Sequence, residues 1–450
     1  MDNRDAADER TGFLQNNDHD VEDNVTSITT NKQESWSDLK PYIRPLIATN
    51  FISICCGIND AAIGAIIPRL KDYYGIPNET VSLLFLCNSF GYFLSSMVYG
   101  YLAHKLGQLG TLYFGAINLL IAYSLIANGF PFGVMGALMV LQGTGVALLD
   151  AGMNVYCSSV PKATLMLNIL HAMYGVGAML SPLINAVLTK MGVSWQGLYV
   201  FMALFSLVNL LLITAGFRNI KVGHNDEEEE EQHLQNPDRH KEIMRAAMRH
   251  PMTIFGALYI LVYVGTEVTV GGWGLTFLQQ GRHGDFVAMS NVIAGYWGAL
   301  AVGRIILGYL CERYGEKQMI TLCTLLTVIV LAILWIVADV VIDSIAIISI
   351  GFLLGPMFPS TISLASKILP RNMHATSIGF MAGTGAGGAA LFPFITGQVA
   401  GKFGILSMPG VCLVMAVTMQ ILWMIVPSDK DKRAPTSVNN QRDYQAIDSN

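Results

Sequence analysis

Long apolar stretches alternate with short polar breaks along most of the chain. We place the first set at 46–68, 81–103, 110–130, 133–156, 168–189 and 197–217. A second set falls at 251–279, 288–311, 318–338, 342–364, 374–398 and 405–427. Each is near the ~20 residues with which a helix crosses a hydrocarbon core. Backbone polar groups in lipid must pair within the segment, so such stretches are helices. The alternation of an outer-membrane strand is absent. The pattern predicts an all-α polytopic membrane protein with twelve transmembrane helices, six in 45–217 and six in 251–427.

Three polar segments frame them. Residues 1–44 hold ten acids, five bases and few large apolar side chains, a composition that predicts a disordered tail. Segment 218–250 carries the acidic run Asp226 to Glu231 and then a basic stretch from His240-Lys241 to Arg249-His250. It reads as a solvated linker, whose basic part could form a short helix on the membrane surface. The tail 428–450 is again polar and expected to be disordered.

Composition agrees with this pattern. Hydrophobic residues make up 52 % and charged residues 13 % of 450 positions, against ~25 % charge in soluble domains. That excludes an ordinary soluble enzyme and a nucleic-acid binder. The net charge of −5 adds little, because the charges are clustered. Seven cysteines lie in or beside apolar stretches without zinc spacing, and are expected to be small inert thiols. No metal, cofactor or nucleophile–base set stands out. The N-terminus lacks a cleavable signal pattern, so the first span is expected to direct insertion. Of the Lys and Arg residues, 21 fall on the side shared by both termini and the linker, and five on the other. The expectation is that the termini are cytoplasmic.

The two sets repeat each other. The loop Gly100-Tyr101-Leu102-Ala103-His104-Lys105-Leu106-Gly107 returns 208 positions later as Gly308-Tyr309-Leu310-Cys311-Glu312-Arg313-Tyr314-Gly315. Gly57 and Gly265, Pro161 and Pro370, Gly175-x-Gly177 and Gly385-x-Gly387, and Pro182 and Pro393 keep nearly that spacing. Two pseudo-symmetric six-helix bundles follow. Such duplication marks transporters that rock two bundles about a midplane site. The loop motif, the repeat and the span count together resemble the major facilitator superfamily. In that family an acid stands where this chain has His104 and Glu312.

Four charges lie inside apolar spans: Asp60, Asp150, Glu267 and Arg304. Each costs at least ~2.5–3.5 kcal/mol at a helix centre and so invites a functional explanation. A carboxylate in an apolar cavity holds a proton more tightly than in water. It can load from one side and unload to the other when access changes, which is the minimum for proton coupling. Asp150, with Asn154 one turn on, is the leading candidate, against a merely structural polar pair. Asp60 follows Asn59 and would assist or gate. Glu267 occupies the matching part of the second half, where it could meet substrate hydroxyls or a cation. Arg304 is expected to be a structural charge for Glu312 or a loop carbonyl, and is grouped with the loop motif. Asn168, His171 and Tyr174 share a face of the fifth span, and could donate to a sugar or simply satisfy the core. Trp273 and Trp297 read as sugar-stacking rings or, more commonly, as interface anchors. Gly175, Gly177, Gly385, Gly387 and Gly388 most simply allow close helix packing.

These local patterns resemble the fucose–proton symporter and its hexose-transporting relatives. The resemblance rests on Asn59-Asp60 followed by Pro68, on Asp150 with Asn154, on Leu167-Asn168-x-x-His171, and on Tyr263-Val264-Gly265-Thr266-Glu267. Fungal transporters of the bypass-of-stop-codon type are similar in wording. The resemblance implies a cation-coupled sugar carrier. Asp150 and Asp60 would couple the proton, and Glu267, His171, Asn168, Asn154, Asn59 and Tyr174 would line the substrate site. The partners are then a hexose-like solute, a proton with sodium left open, and the lipid bilayer. Proton-coupled efflux of a drug or metabolite and a non-transporting nutrient sensor are the alternatives. Glu9-Arg10-Thr11-Gly12-Phe13-Leu14 looks like a vacuolar sorting signal, with the plasma membrane the other location. Asn78-Glu79-Thr80 is a glycosylation sequon.

Overall fold

The computed structural model describes residues 36–218 and 237–428. The acidic run, the tail after 428 and most of the N-terminal tail lie outside them. The regular secondary structure of the described residues is helical throughout.

In the first half, α1 spans Ile43–Tyr74. One continuous stretch, Leu83–Ile126, supplies both α2 (83–106) and α3 (108–126). It turns at Gly107, whose φ of 70° and ψ of 164° lie outside the helical region and suit a residue without a Cβ. α4 is Phe132–Ser158, α5 Ala163–Lys190 and α6 Gln196–Phe217. In the second half, α7 is Pro251–Thr276, α8 Phe286–Tyr314 and α9 Glu316–Ile336. α10 is built of Val340–Leu354 and Met357–Ile368, interrupted at Gly355-Pro356, where proline cannot donate to the helical ladder. α11 is His374–Phe403 and α12 Met408–Ile425. Among the described residues, eleven helical stretches are long and apolar enough to cross a membrane, and α2 and α3 share one of them. Their outer faces expose large apolar side chains such as Leu204, Leu211, Ile329 and Ile333. A surface of this kind suits lipid and not water.

One boundary differs from expectation. Residues 36–42, assigned to the polar tail, form a 3-10 helix that leads into α1. Leu39 is the reason: it is buried in the core. The basic part of the linker forms the helix Pro237–Arg249, seated through buried Ala247 against the start of α11 and the Arg371–Met373 turn.

The sequence repeat is a repeat of packing. Each half pairs its second with its fourth helix and its first with its fifth. At the α2–α4 contact, a Cβ placed on Gly143 would lie 1.9 Å from the Asn88 carbonyl oxygen. At the α8–α10 contact, a Cβ on Gly351 would lie 2.3 Å from the Tyr296 carbonyl oxygen. Both residues of the second contact stand 208 positions after those of the first. Backbone approaches this close admit only glycine.

The halves meet where α1 faces α7, α2 faces α11 and α5 faces α8. On the side away from the termini they are joined by hydrogen bonds. Lys71 Nζ donates to Gln280 Oε1 at 2.7 Å, and Gln398 Nε2 donates to Glu79 O at 3.0 Å and Ser82 Oγ at 3.1 Å. Asn78 Nδ2, the sequon atom that would carry a glycan, donates instead to Ala400 O at 3.4 Å. On the side of the termini the inner faces stand apart. Asn168 and His171 on α5, and Phe380 and Gly383 on α11, are exposed. The space between the bundles therefore opens toward the termini and the linker.

Candidate functional site

Residues 57–68 of α1 are buried with one exception, Asp60, which is exposed. A lone exposed carboxylate inside a buried stretch of a spanning helix marks water entering between the halves. Tyr174 of α5 donates its phenol proton to Asp60 Oδ2, and Asn59 Nδ2 donates to Oδ1 at 2.9 Å. Asn59 is itself buried, and its amide oxygen accepts from Tyr123 of α3 at 2.9 Å. It orients Asp60 and does not line the opening, contrary to the substrate-binding role expected of it.

Asp150 of α4 is half-buried. Tyr92 of α2 donates to its Oδ2 at 2.7 Å, and Asn154 Nδ2 donates to its Oδ1 at 3.1 Å and to its carbonyl oxygen at 2.9 Å. His171 of α5, exposed to the opening, lies within electrostatic range of both Asp150 and Arg304. Asn168 is exposed on the same helix. Asp60 in turn feels the charges of Asp150 and Glu267. Three helices of the first half, α1, α4 and α5, thus carry Asp60, Asp150, His171, Asn168, Asn154 and Tyr174.

The second half contributes a different arrangement. Glu267 of α7 is 7 % exposed. Its Oε2 accepts from Tyr263, one turn earlier, and its Oε1 lies 3.3 Å from Arg304 Nη2 of α8. Tyr296 donates to the Glu267 carbonyl oxygen at 2.8 Å. This corrects the reading of Arg304 as a partner for Glu312 or a loop carbonyl. Glu312 is exposed at the end of α8, whereas Arg304 lies two to three turns deeper, level with Glu267. Among the described residues, two further buried carboxylates are paired: Asp343, 2.5 Å from Arg282 Nε, and Glu316, with Lys367.

Lys105 and Arg313 are exposed and lie over the rings of Tyr101 and Tyr314, at 5.8 and 5.6 Å. The acid engaged at the α8–α9 turn is Glu316, the residue after Gly315, which accepts from Ser363 at 3.0 Å and from Lys367. Trp273 and Trp297 are neither interface anchors nor stacking platforms. Trp273 is fully buried and donates to Pro393 O at 2.9 Å, while Trp297 is 5 % exposed and packs edge-on against Tyr296. The cysteines are free, and all but half-buried Cys87 are buried. Among the described residues, no cluster of His, Cys, Asp and Glu is arranged to hold a metal.

Sequence reasoning overlooked Tyr92 and gave no role to Tyr263, the donors to Asp150 and Glu267. It also missed the Arg282–Asp343 pair, in which Arg282 Nη2 additionally donates to Val337 O at 3.1 Å. The i, i+4 spacing of Tyr263 and Glu267 was a usable signal. Tyr92 lies on another helix and offered none.

Comparison with known proteins agrees with this architecture. The sequence profile of the Major Facilitator Superfamily matches residues 49–393 and, in a second alignment, 255–443. The chain is 28 % identical to Bypass of stop codon protein 6 of Saccharomyces cerevisiae over 410 residues, covering 85 % of this chain and 82 % of the yeast protein. It is 27 % identical over 409 residues to a glucose/galactose transporter of Brucella abortus, covering 86 % and 96 % of the two chains. A crystal structure of a D-xylose-proton symporter shares the fold with a TM-score of 0.72 at 13 % identity, covering 86 % of this chain and 99 % of that one.

Proposed function

The chain belongs to the Major Facilitator Superfamily, and from that premise we propose that it is a secondary active symporter that moves a hexose-like solute together with a proton. The observation that carries this reading is how the three carboxylates are partnered. Asp60 and Asp150 receive hydrogen bonds from neutral donors, phenol and amide, whereas Glu267 faces a guanidinium. A carboxylate held by neutral donors can accept and release a proton, while one paired with arginine stays ionised. The relatives named for glucose and galactose support the substrate class.

In the state seen here, solute and proton reach the site from the side of the termini, the cytoplasmic side in our reading. Asp150 carries the proton and Asp60 assists. Asn168, His171, Asn154 and Tyr174 from the first half, together with Glu267 and Arg304 from the second, supply donors and acceptors for sugar hydroxyls. Rocking the halves about this layer separates the contacts around Gln398 and Lys71 and closes the opposite side. One proton moving through 100 mV delivers ~2.3 kcal/mol, enough for roughly 50-fold accumulation.

The test is uptake of labelled hexoses into vesicles containing the purified protein, with an imposed pH gradient and, separately, a sodium gradient. Asp150→Asn should abolish gradient-driven accumulation and retain solute exchange. Accumulation by Asp150→Asn at the wild-type level would refute the assignment.

A further inference from the structure

Tyr92 supplies the phenol that meets Asp150. Its phenol lies on α2, and the carboxylate it meets lies on α4, at 2.7 Å. The backbone that carries that phenol is seated on α4 on both sides of it. A Cβ on Gly91 would come within 1.9 Å of the Val140 carbonyl oxygen, and Ser95 Oγ donates to Thr144 O at 3.1 Å. α2 is therefore seated on α4 one residue before and three residues after Tyr92, and the hydroxyl reaches Asp150.

We infer that Tyr92 is a positioning residue for Asp150, holding the carboxylate toward the opening in both of its protonation states while leaving its charge free to change. This rests on the proposed proton coupling. A phenol suits the task because it both donates and accepts. It donates to the ionised carboxylate and can accept from the protonated one, so the tie between α2 and α4 survives loading. An arginine in that place would set a fixed positive charge beside the acid, as Arg304 does beside Glu267. The same device recurs at Asp60, whose phenol donor, Tyr174, also comes from another helix. The other ionisable groups near Asp150 are His171 on α5 and Asp60 and Cys56 on α1.

The experiment uses the full-length protein in vesicles and compares Tyr92→Phe with wild type. The substitution keeps the ring and removes the hydroxyl. The donated bond is stronger to the ionised acid than to the neutral one, so its loss should move the pH profile of gradient-driven uptake toward alkaline pH by about one unit. Solute exchange without a gradient should keep its KM within about twofold. Tyr113→Phe, which removes an exposed phenol bonded to Thr214 outside the site, should leave the profile in place. A Tyr92→Phe profile that superimposes on wild type overturns the inference, as does loss of exchange in proportion to uptake. Wild-type uptake that is indifferent to the pH gradient overturns the proposed coupling instead.

Discussion

Replacing Arg304 by Gln tests whether the Arg304–Glu267 contact is a stabilising ion pair. The substitution leaves a carboxylate that is 7 % exposed without its cation. At 3.3 Å and an effective dielectric constant of ~20, the lost attraction is about 5 kcal/mol before desolvation is counted. Removing one partner of a buried pair typically costs ~3–5 kcal/mol. The lower end applies here for two reasons. The Arg304 side chain is 23 % exposed, and Glu267 keeps the Tyr263 phenol. We expect Arg304→Gln to destabilise by ~3 kcal/mol, read as a fall of several degrees in the melting temperature of the detergent-purified protein. Glu267→Gln added to Arg304→Gln removes the stranded charge and should restore most of that loss, because two neutral groups need no counter-ion. A melting temperature for Arg304→Gln within about a degree of wild type, or a double variant no more stable than the single one, would show that the pair is not the electrostatic unit described here.

Two other predictions bear on the framework around the site. Arg282→Gln strands Asp343, which is fully buried, and should lower stability by ~3 kcal/mol without altering solute exchange per folded molecule. Melting and exchange on the same preparation decide it. A Cβ on Gly397 of α11 would stand 2.2 Å from that of Ser82, so Gly397→Val should hold the halves apart on the side away from the termini. Labelling from that side of a cysteine introduced at Glu79 should then rise, and unchanged labelling would count against the contact as a gate.

The fold was legible early because membrane insertion writes it into composition. Twelve apolar stretches, a loop recurring 208 positions later and paired glycines at helix contacts all follow from constraints local to one segment or one repeat. The acids were legible for the same reason, since a charge inside an apolar span is conspicuous wherever its helix goes. Their partners were not. Tyr92 and Asp150 are 58 positions apart and Arg304 and Glu267 are 37, and nothing in either local sequence says that one faces the other. Tyrosine is also common among the buried residues of this chain, so a phenol that orients an acid looks like one that fills space. Arg304 was matched to Glu312 by nearness in sequence, whereas helix packing sets it level with Glu267.

What the sequence determined by itself was therefore the set of helices, their duplication and the presence of ionisable groups in an apolar setting, because transfer into lipid penalises each residue on its own. Tertiary structure decided which acid meets a phenol and which meets a guanidinium, and on which side the bundles part. Those are properties of pairs brought together across helices, and only packing fixes them.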